Sequence, residues 1–205
     1  LFPPAVATDE DIPMQALWNL VWNYKGLTTA VTLLKKIKHS RAQEFETFAA
    51  GFKRTFTEVY TTLAKSGQYW TDNAGKRRFK PPTVMSNQPQ PFHIFSDAFY
   101  LDTGPMALVW AGLMNADHEF MKDTVAFFRN GPNQKMWPAV PHALWRPFLI
   151  HEISTCEPCY SWNVFHSWQL NDRANFLKGM YSLYAGALSQ NTYISCEHRH
   201  GIQGN

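Results

Sequence analysis

One short segment concentrates residue types that could do chemistry. Residues 154–163, STCEPCYSWN, hold two cysteines, one glutamate and two aromatic side chains. Cys156 and Cys159 have the spacing of half a zinc site or of a redox pair. Alternatively, Glu157 acts as an acid–base group at the rim of a pocket, and the neighbouring aromatic residues hold the ligand.

The zinc alternative needs Cys196 and His198 as the remaining ligands, which would give a zinc-stabilised interaction protein. Against it, the first cysteine pair leads straight into a predicted helix, and no second tight turn is evident around Cys196. A redox pair is expected within a βαβ pattern, which is missing here. We therefore predict no metal and no cofactor, with the thiols packed as small buried groups. So few cysteines favour a reducing compartment such as the cytoplasm.

The elements that must position these residues are mainly helical. Apolar residues recur every three or four positions over 40–65, which predicts a long amphipathic helix behind a Ser40-x-x-Gln43 capping box. The stripe comprises Phe45, Phe48, Ala49, Phe52, Phe56, Val59, Tyr60 and Leu63. Two shorter helices are predicted before it, over 14–24 and 27–38, with a break near Gly26.

The helical pattern stops over residues 71–91, which are rich in Pro, Asn, Gln and Lys. A connection of this length is predicted to be a long irregular loop. The basic cluster GKRRFK, residues 75–80, lies within it and is expected to be solvated rather than to bind phosphate.

Helices then return in pairs. Residues 105–114 are followed by 117–129, and residues 161–170 by 172–189, with short links at Asn115 and Asn171. The sequences of the two pairs align with a period of roughly 54 residues, which is typical of repeated αα-hairpins. Because the loops between pairs are long, the pattern favours a closed toroid over a solenoid with tight loops. The predicted fold class is therefore all-α.

Residues 92–201 resemble the six-hairpin glycosidases. The likeness rests on the repeat length, on DTGPMALVWAGL at the start of one hairpin, and on EPCYSWN followed by LNDRANFLKGMYSLYAGAL. The resemblance implies that the αα-hairpins form part or all of an (α/α)6 toroid, with a carbohydrate site where the N-terminal ends of the inner helices meet. Fewer hairpins are present than would close a ring, so residues 1–205 are expected to be one incomplete domain, completed by further hairpins or a second chain.

Cleavage of a glycosidic bond usually needs two carboxyl groups, one as proton donor and one as base or nucleophile. Glu157 directly precedes Pro158, and Asp102 lies shortly before Pro105, so the repeat predicts both at one rim. We assign Glu157 as the general acid and Asp102 or Glu197 as its partner. An acidic residue ahead of a helix is also a common N-cap, and that structural role stays open.

Polar and aromatic residues near these carboxylates are candidates for substrate binding. In SCEHRHG, the residues that follow Glu197 supply hydrogen-bond donors. The predicted set is Tyr160, Trp162, Trp145, His198, Arg199 and His93. For its aromatic members, stacking on a sugar and packing in the core both remain open, whereas packing is favoured for Trp110 and Trp168.

Composition excludes several classes of function. A net charge of +3 is too small to indicate a nucleic-acid binder, and no apolar run is long enough for a membrane span. Aromatic residues make up 15% of the chain, a share high enough to suggest a use beyond packing. Their flat faces could stack on a ligand. Taken with the resemblance to the six-hairpin glycosidases, which implies a glycoside hydrolase with a carbohydrate ligand, the composition predicts a soluble protein with neither nucleic acid nor membrane as partner. The alternative is a non-catalytic glycan-binding or helical scaffold module.

Overall fold

The computed structural model describes residues 1–5, 13–85, 104–132, 134–135, 144–145, 155–156, 162–182, 184, 191–192 and 198–199. Its helices are α1 (Leu17–Lys36), α2 (Ala42–Ser66), a 3-10 turn (Pro105–Ala107) continuing into α3 (Leu108–Ala111), α4 (Glu119–Asn130), α5 (Trp162–Gln169) and α6 (Arg173–Ser182). Three antiparallel strand pairs join β1 (Tyr69–Thr71) to β2 (Arg77–Phe79), β3 (Gln134–Lys135) to β4 (Leu144–Trp145), and β5 (Thr155–Cys156) to β6 (His198–Arg199). The described chain is mostly helical, as predicted.

The predicted break near Gly26 is wrong, because α1 runs through this residue without interruption. A glycine inside a helix costs only about 1 kcal/mol relative to alanine. Leu20 and Tyr24 before Gly26, and Val31 after it, are buried in the core. Each such burial contributes roughly 1.5 to 3 kcal/mol, so packing outweighs the local preference.

Helix α2 carries the predicted apolar stripe. Its buried members are Ala49, Phe52, Phe56, Tyr60 and Leu63, whereas the inclusion of Phe48 is wrong because this side chain is 56% exposed. The predicted capping box does not form: the residue that precedes the helix is Arg41, and its side chain makes no capping hydrogen bond. The link from α1 is a tight turn in which the Ala42 N–H donates to the His39 carbonyl at 3.0 Å, so the helix begins too late for Ser40 to cap it.

Part of the predicted irregular loop is a β-hairpin that is fixed to α4. The Asp72 carboxylate accepts hydrogen bonds within the turn and from Arg78 Nε at 2.6 Å, which holds the pKa of Asp72 below its usual range. Arg78 also donates to Asp123 on α4 at 2.9 Å, and the same carboxylate accepts the Phe79 N–H. The Phe79 side chain is buried. The prediction that the basic cluster, residues 75–80, is a solvated loop is therefore only partly correct, because Arg78 and Phe79 attach it to α4 and the core.

The two later hairpins follow the predicted repeat. Pro105 starts the 3-10 turn that leads into α3, and the links that precede α4 and α6 include Asn115 and Asn171 as predicted. The left-handed backbone of Asn171, with a φ of 54°, lets the chain reverse between α5 and α6. At the start of α6, the Asp172 carboxylate accepts the Asn175 N–H at 3.2 Å and so caps the helix.

The first helices of the hairpins pack on one another in chain order. Helix α1 contacts α2 and α3, and α3 contacts α5. One continuous apolar core joins the three hairpins. Its largest fully buried side chains include Leu17, Leu20, Phe56, Tyr60, Met106, Leu108, Met121, Phe127 and Phe128. Tertiary packing, rather than the short sheets, therefore holds the described elements together.

A buried histidine joins the third hairpin to the second. His166 on α5 is 4% exposed, and its Nε2 lies 2.9 Å from the carbonyl oxygen of Ala116, in the link before α4. Burial lowers the pKa of His166 and outweighs the opposing effects of the hydrogen bond to Ala116 and the carboxylate of Asp172; the positive charge of Arg129 also lowers it. The neutral ring, with Nε2–H as donor, is thus the form that suits this position.

Candidate functional site

Four tryptophans from three hairpins meet in one cluster. Trp18 and Trp22 lie on α1, Trp110 on α3 and Trp162 on α5. Ring centroids are 5.4 Å apart for Trp18 and Trp22, 4.8 Å for Trp22 and Trp110, and 4.7 Å for Trp110 and Trp162. Trp22 also approaches Trp162 at 6.2 Å. We call these four residues the tryptophan cluster.

The cluster forms where the first helices of the hairpins begin. Trp18 and Trp22 occupy the first two turns of α1, and Trp162 is the first residue of α5. Trp110 follows closely on the 3-10 turn that opens the second hairpin. Neither α1 nor α5 has an acidic residue in its first turn, so the positive ends of both helix dipoles lack an acidic side chain there.

The rings of the tryptophan cluster differ in how much of their surface is exposed. Trp162, which sequence analysis proposed as a substrate-binding residue, is only 9% exposed and packs against Trp110. Trp22 is 41% exposed although it lies against three other indole rings. Sequence analysis did not single out Trp22. The signal was available in WNLVWNYK, where Trp18, Trp22 and Lys25 recur at the spacing of one helix face.

A lysine completes this surface. Lys25 Nζ donates a hydrogen bond to the Trp110 carbonyl oxygen at 3.2 Å and lies 5.1 Å from the centroid of the Trp110 ring. The ring face attracts the ammonium group, as in other cation–π contacts. Among the described residues, no carboxylate forms an ion pair with Lys25. The ammonium group of Lys25 and the exposed ring of Trp22 thus both contact Trp110.

The strand pair β5–β6 brings two distant parts of the sequence together. Cys156 is the pairing partner of His198, and Thr155 that of Arg199. In the sequence, Glu157 follows Cys156 directly, and Glu197 directly precedes His198. The pairing therefore joins the two segments that carry these candidate carboxylates. It equally joins two of the four residues of the zinc alternative.

The remaining candidates have no described side chain. Glu157, Asp102, Glu197, Tyr160 and His93 lie outside the described residues, as do Cys159 and Cys196. For Trp145, His198 and Arg199 the structure gives the strand backbone, with Trp145 paired to Gln134. Within the described part of the chain, no three His, Cys, Asp or Glu residues are grouped so that they could hold a metal ion.

None of the helices in the described ranges has both the length and the apolar character needed to cross a bilayer. The chain matches no protein-family model, no curated protein and no solved structure.

Proposed function

We propose that this chain binds carbohydrate and hydrolyses a glycosidic bond with the carboxyl groups of Glu157 and Glu197. The observation that carries the proposal is the register of β5 and β6, in which Cys156 pairs with His198. Glu157 and Glu197 are the immediate sequence neighbours of that pair. Of the two partners considered for Glu157, this register favours Glu197 over Asp102.

The chemistry requires the two carboxyl groups to differ in protonation. Glu157 is the general acid and must keep its proton until the leaving-group oxygen accepts it, whereas Glu197 must be ionised to act as base or nucleophile. Two carboxylates close together meet this need, because the charge on one raises the pKa of the other. A separation of about 5 Å would suit a retaining mechanism, and about 6.5 to 9.5 Å an inverting one.

The tryptophan cluster supports a carbohydrate as the ligand. Pyranose rings present apolar C–H faces, for which an exposed indole such as that of Trp22 offers a flat partner. The packing of α1 on α3 and of α3 on α5 suits neighbouring inner helices of an α/α toroid. We propose on this basis that the hairpins form part or all of an (α/α)6 toroid, with the tryptophan cluster at the end where the inner helices begin.

Turnover of oligosaccharides by charge-neutral variants tests the proposal. Glu157→Gln and Glu197→Gln should each lower turnover by at least about a hundredfold while retaining ligand binding, since removal of a general acid or base costs about that much. Glu58→Gln, at an exposed position in the middle of α2, is the matched control and should leave turnover unchanged. Asp102→Asn tests the other partner.

Three outcomes are distinct. Binding without measurable turnover in the wild-type chain would establish the glycan-binding module and reject the hydrolase. Full activity in Glu157→Gln would remove Glu157 from the mechanism. A loss of turnover in Asp102→Asn but not in Glu197→Gln would show that the strand register had indicated the wrong partner.

A further inference from the structure

We propose that Trp22 and Lys25 form a subsite for a negatively charged sugar residue, such as a uronic acid. This inference rests on the proposed function, because it specifies the class of carbohydrate that the chain binds. Trp22 would stack on the apolar face of the sugar ring, and the ammonium group of Lys25 would hold its carboxylate.

The geometry places both side chains on one surface. Trp22 and Lys25 are three residues apart on α1, so they project from the same side of the helix. Both contact the indole of Trp110, at 4.8 Å between ring centroids for Trp22 and at 5.1 Å from Nζ for Lys25. The ring of Trp110 therefore contacts both the exposed stacking surface and the cation.

The ammonium group of Lys25 is held in place but does not use all of its N–H donors. Lys25 Nζ carries three N–H donors, of which the carbonyl of Trp110 takes one. The hydrogen bond and the ring contact restrict the side chain, so a ligand need not immobilise a flexible lysine on binding. The two remaining donors are available to an anionic group, and hydrogen bonds of this charged kind are stronger than neutral ones.

The ammonium group of Lys25 has no carboxylate counter-ion among the described residues. Arg78 and Lys35 both pair with carboxylates, and among the described ion pairs none includes Lys25. The lysine is half-buried, while Lys36 on the same helix is exposed. An anionic ligand would supply the counter-ion that the described ion pairs do not give Lys25.

Binding of paired acidic and neutral oligosaccharides tests the subsite. The probes are trigalacturonate, trimannuronate and triglucuronate, each beside its fully methyl-esterified form, together with neutral trisaccharides of glucose, mannose and galactose. Calorimetry should show at least one acid bound at least about tenfold more tightly than its ester, as expected for one charged hydrogen bond. Lys25→Met should abolish that preference, whereas Lys25→Arg should keep it.

Controls separate failure of this inference from failure of the proposed function. Lys36→Met should retain the full preference, and circular dichroism of Lys25→Met should match that of the wild type. Equal affinity for acid and ester, or a preference that survives in Lys25→Met, overturns the subsite. Binding of only neutral trisaccharides overturns it as well but leaves the proposed function standing. No binding by any probe overturns both.

Discussion

Truncation of individual tryptophans distinguishes the ring that packs from the ring that is available to a ligand. Trp162 is 9% exposed and lies 4.7 Å from Trp110, so Trp162→Ala should cost about 3 to 5 kcal/mol of unfolding free energy, as for other buried aromatic residues. Trp22 is 41% exposed, and Trp22→Ala should cost about 1 to 2 kcal/mol because much of the ring already contacts water.

Urea unfolding followed by far-UV circular dichroism measures both costs from the midpoint and slope, without relying on the tryptophan fluorescence that the variants alter. Trp168→Ala is the control and should stay below about 1 kcal/mol, because Trp168 is 60% exposed and the prediction that it packs in the core is wrong. Ligand affinity should show the reverse order, with the larger loss in Trp22→Ala. The reasoning fails if Trp22→Ala destabilises the chain as much as Trp162→Ala does.

Two further predictions concern contacts between elements. Asp123→Ala removes the acceptor for Arg78 and for the Phe79 N–H, so it should lower the free energy of unfolding in urea by about 2 to 3 kcal/mol. The exposed control Glu58→Ala should lower it by less than about 0.5 kcal/mol. Equal urea midpoints for the two variants would contradict this prediction. The folded-state pKa of His166 is lowered by burial from 6.5, so its contribution to stability should be complete above that pH and decline as the pH falls below it. The decline in unfolding free energy between pH 7 and pH 5 should therefore be smaller in His166→Gln than in the wild type. Parallel curves of unfolding free energy against pH for the two proteins would show that His166 does not titrate as proposed.

Much of the local structure was predictable because it depends on neighbours in the sequence. The spacing of apolar residues predicted α2, and Pro105 marked the opening of the second hairpin. The link at Asn171 was also predicted, since asparagine accepts the left-handed backbone that the turn requires. The prediction of a break at Gly26 was wrong for the opposite reason. The preference of glycine against helix, about 1 kcal/mol, was weaker than the tertiary packing of α1.

The candidate site depended more on tertiary structure. The sequence alone indicated which segments carry carboxylates and that Trp162 was a candidate for stacking, but a residue's exposure depends on which other elements cover it. Packing of α1, α3 and α5 buried Trp162 and left Trp22 accessible beside Lys25.

The sequence by itself thus determined α2 and the two later hairpins, because the spacing of apolar residues and the turn residues act over a few neighbouring positions. Only the tertiary structure decided that Cys156 pairs with His198 and that four tryptophans from three hairpins meet. Such contacts join residues that are far apart along the chain. They follow from how the helices bury their apolar faces together, which no single stretch of sequence encodes.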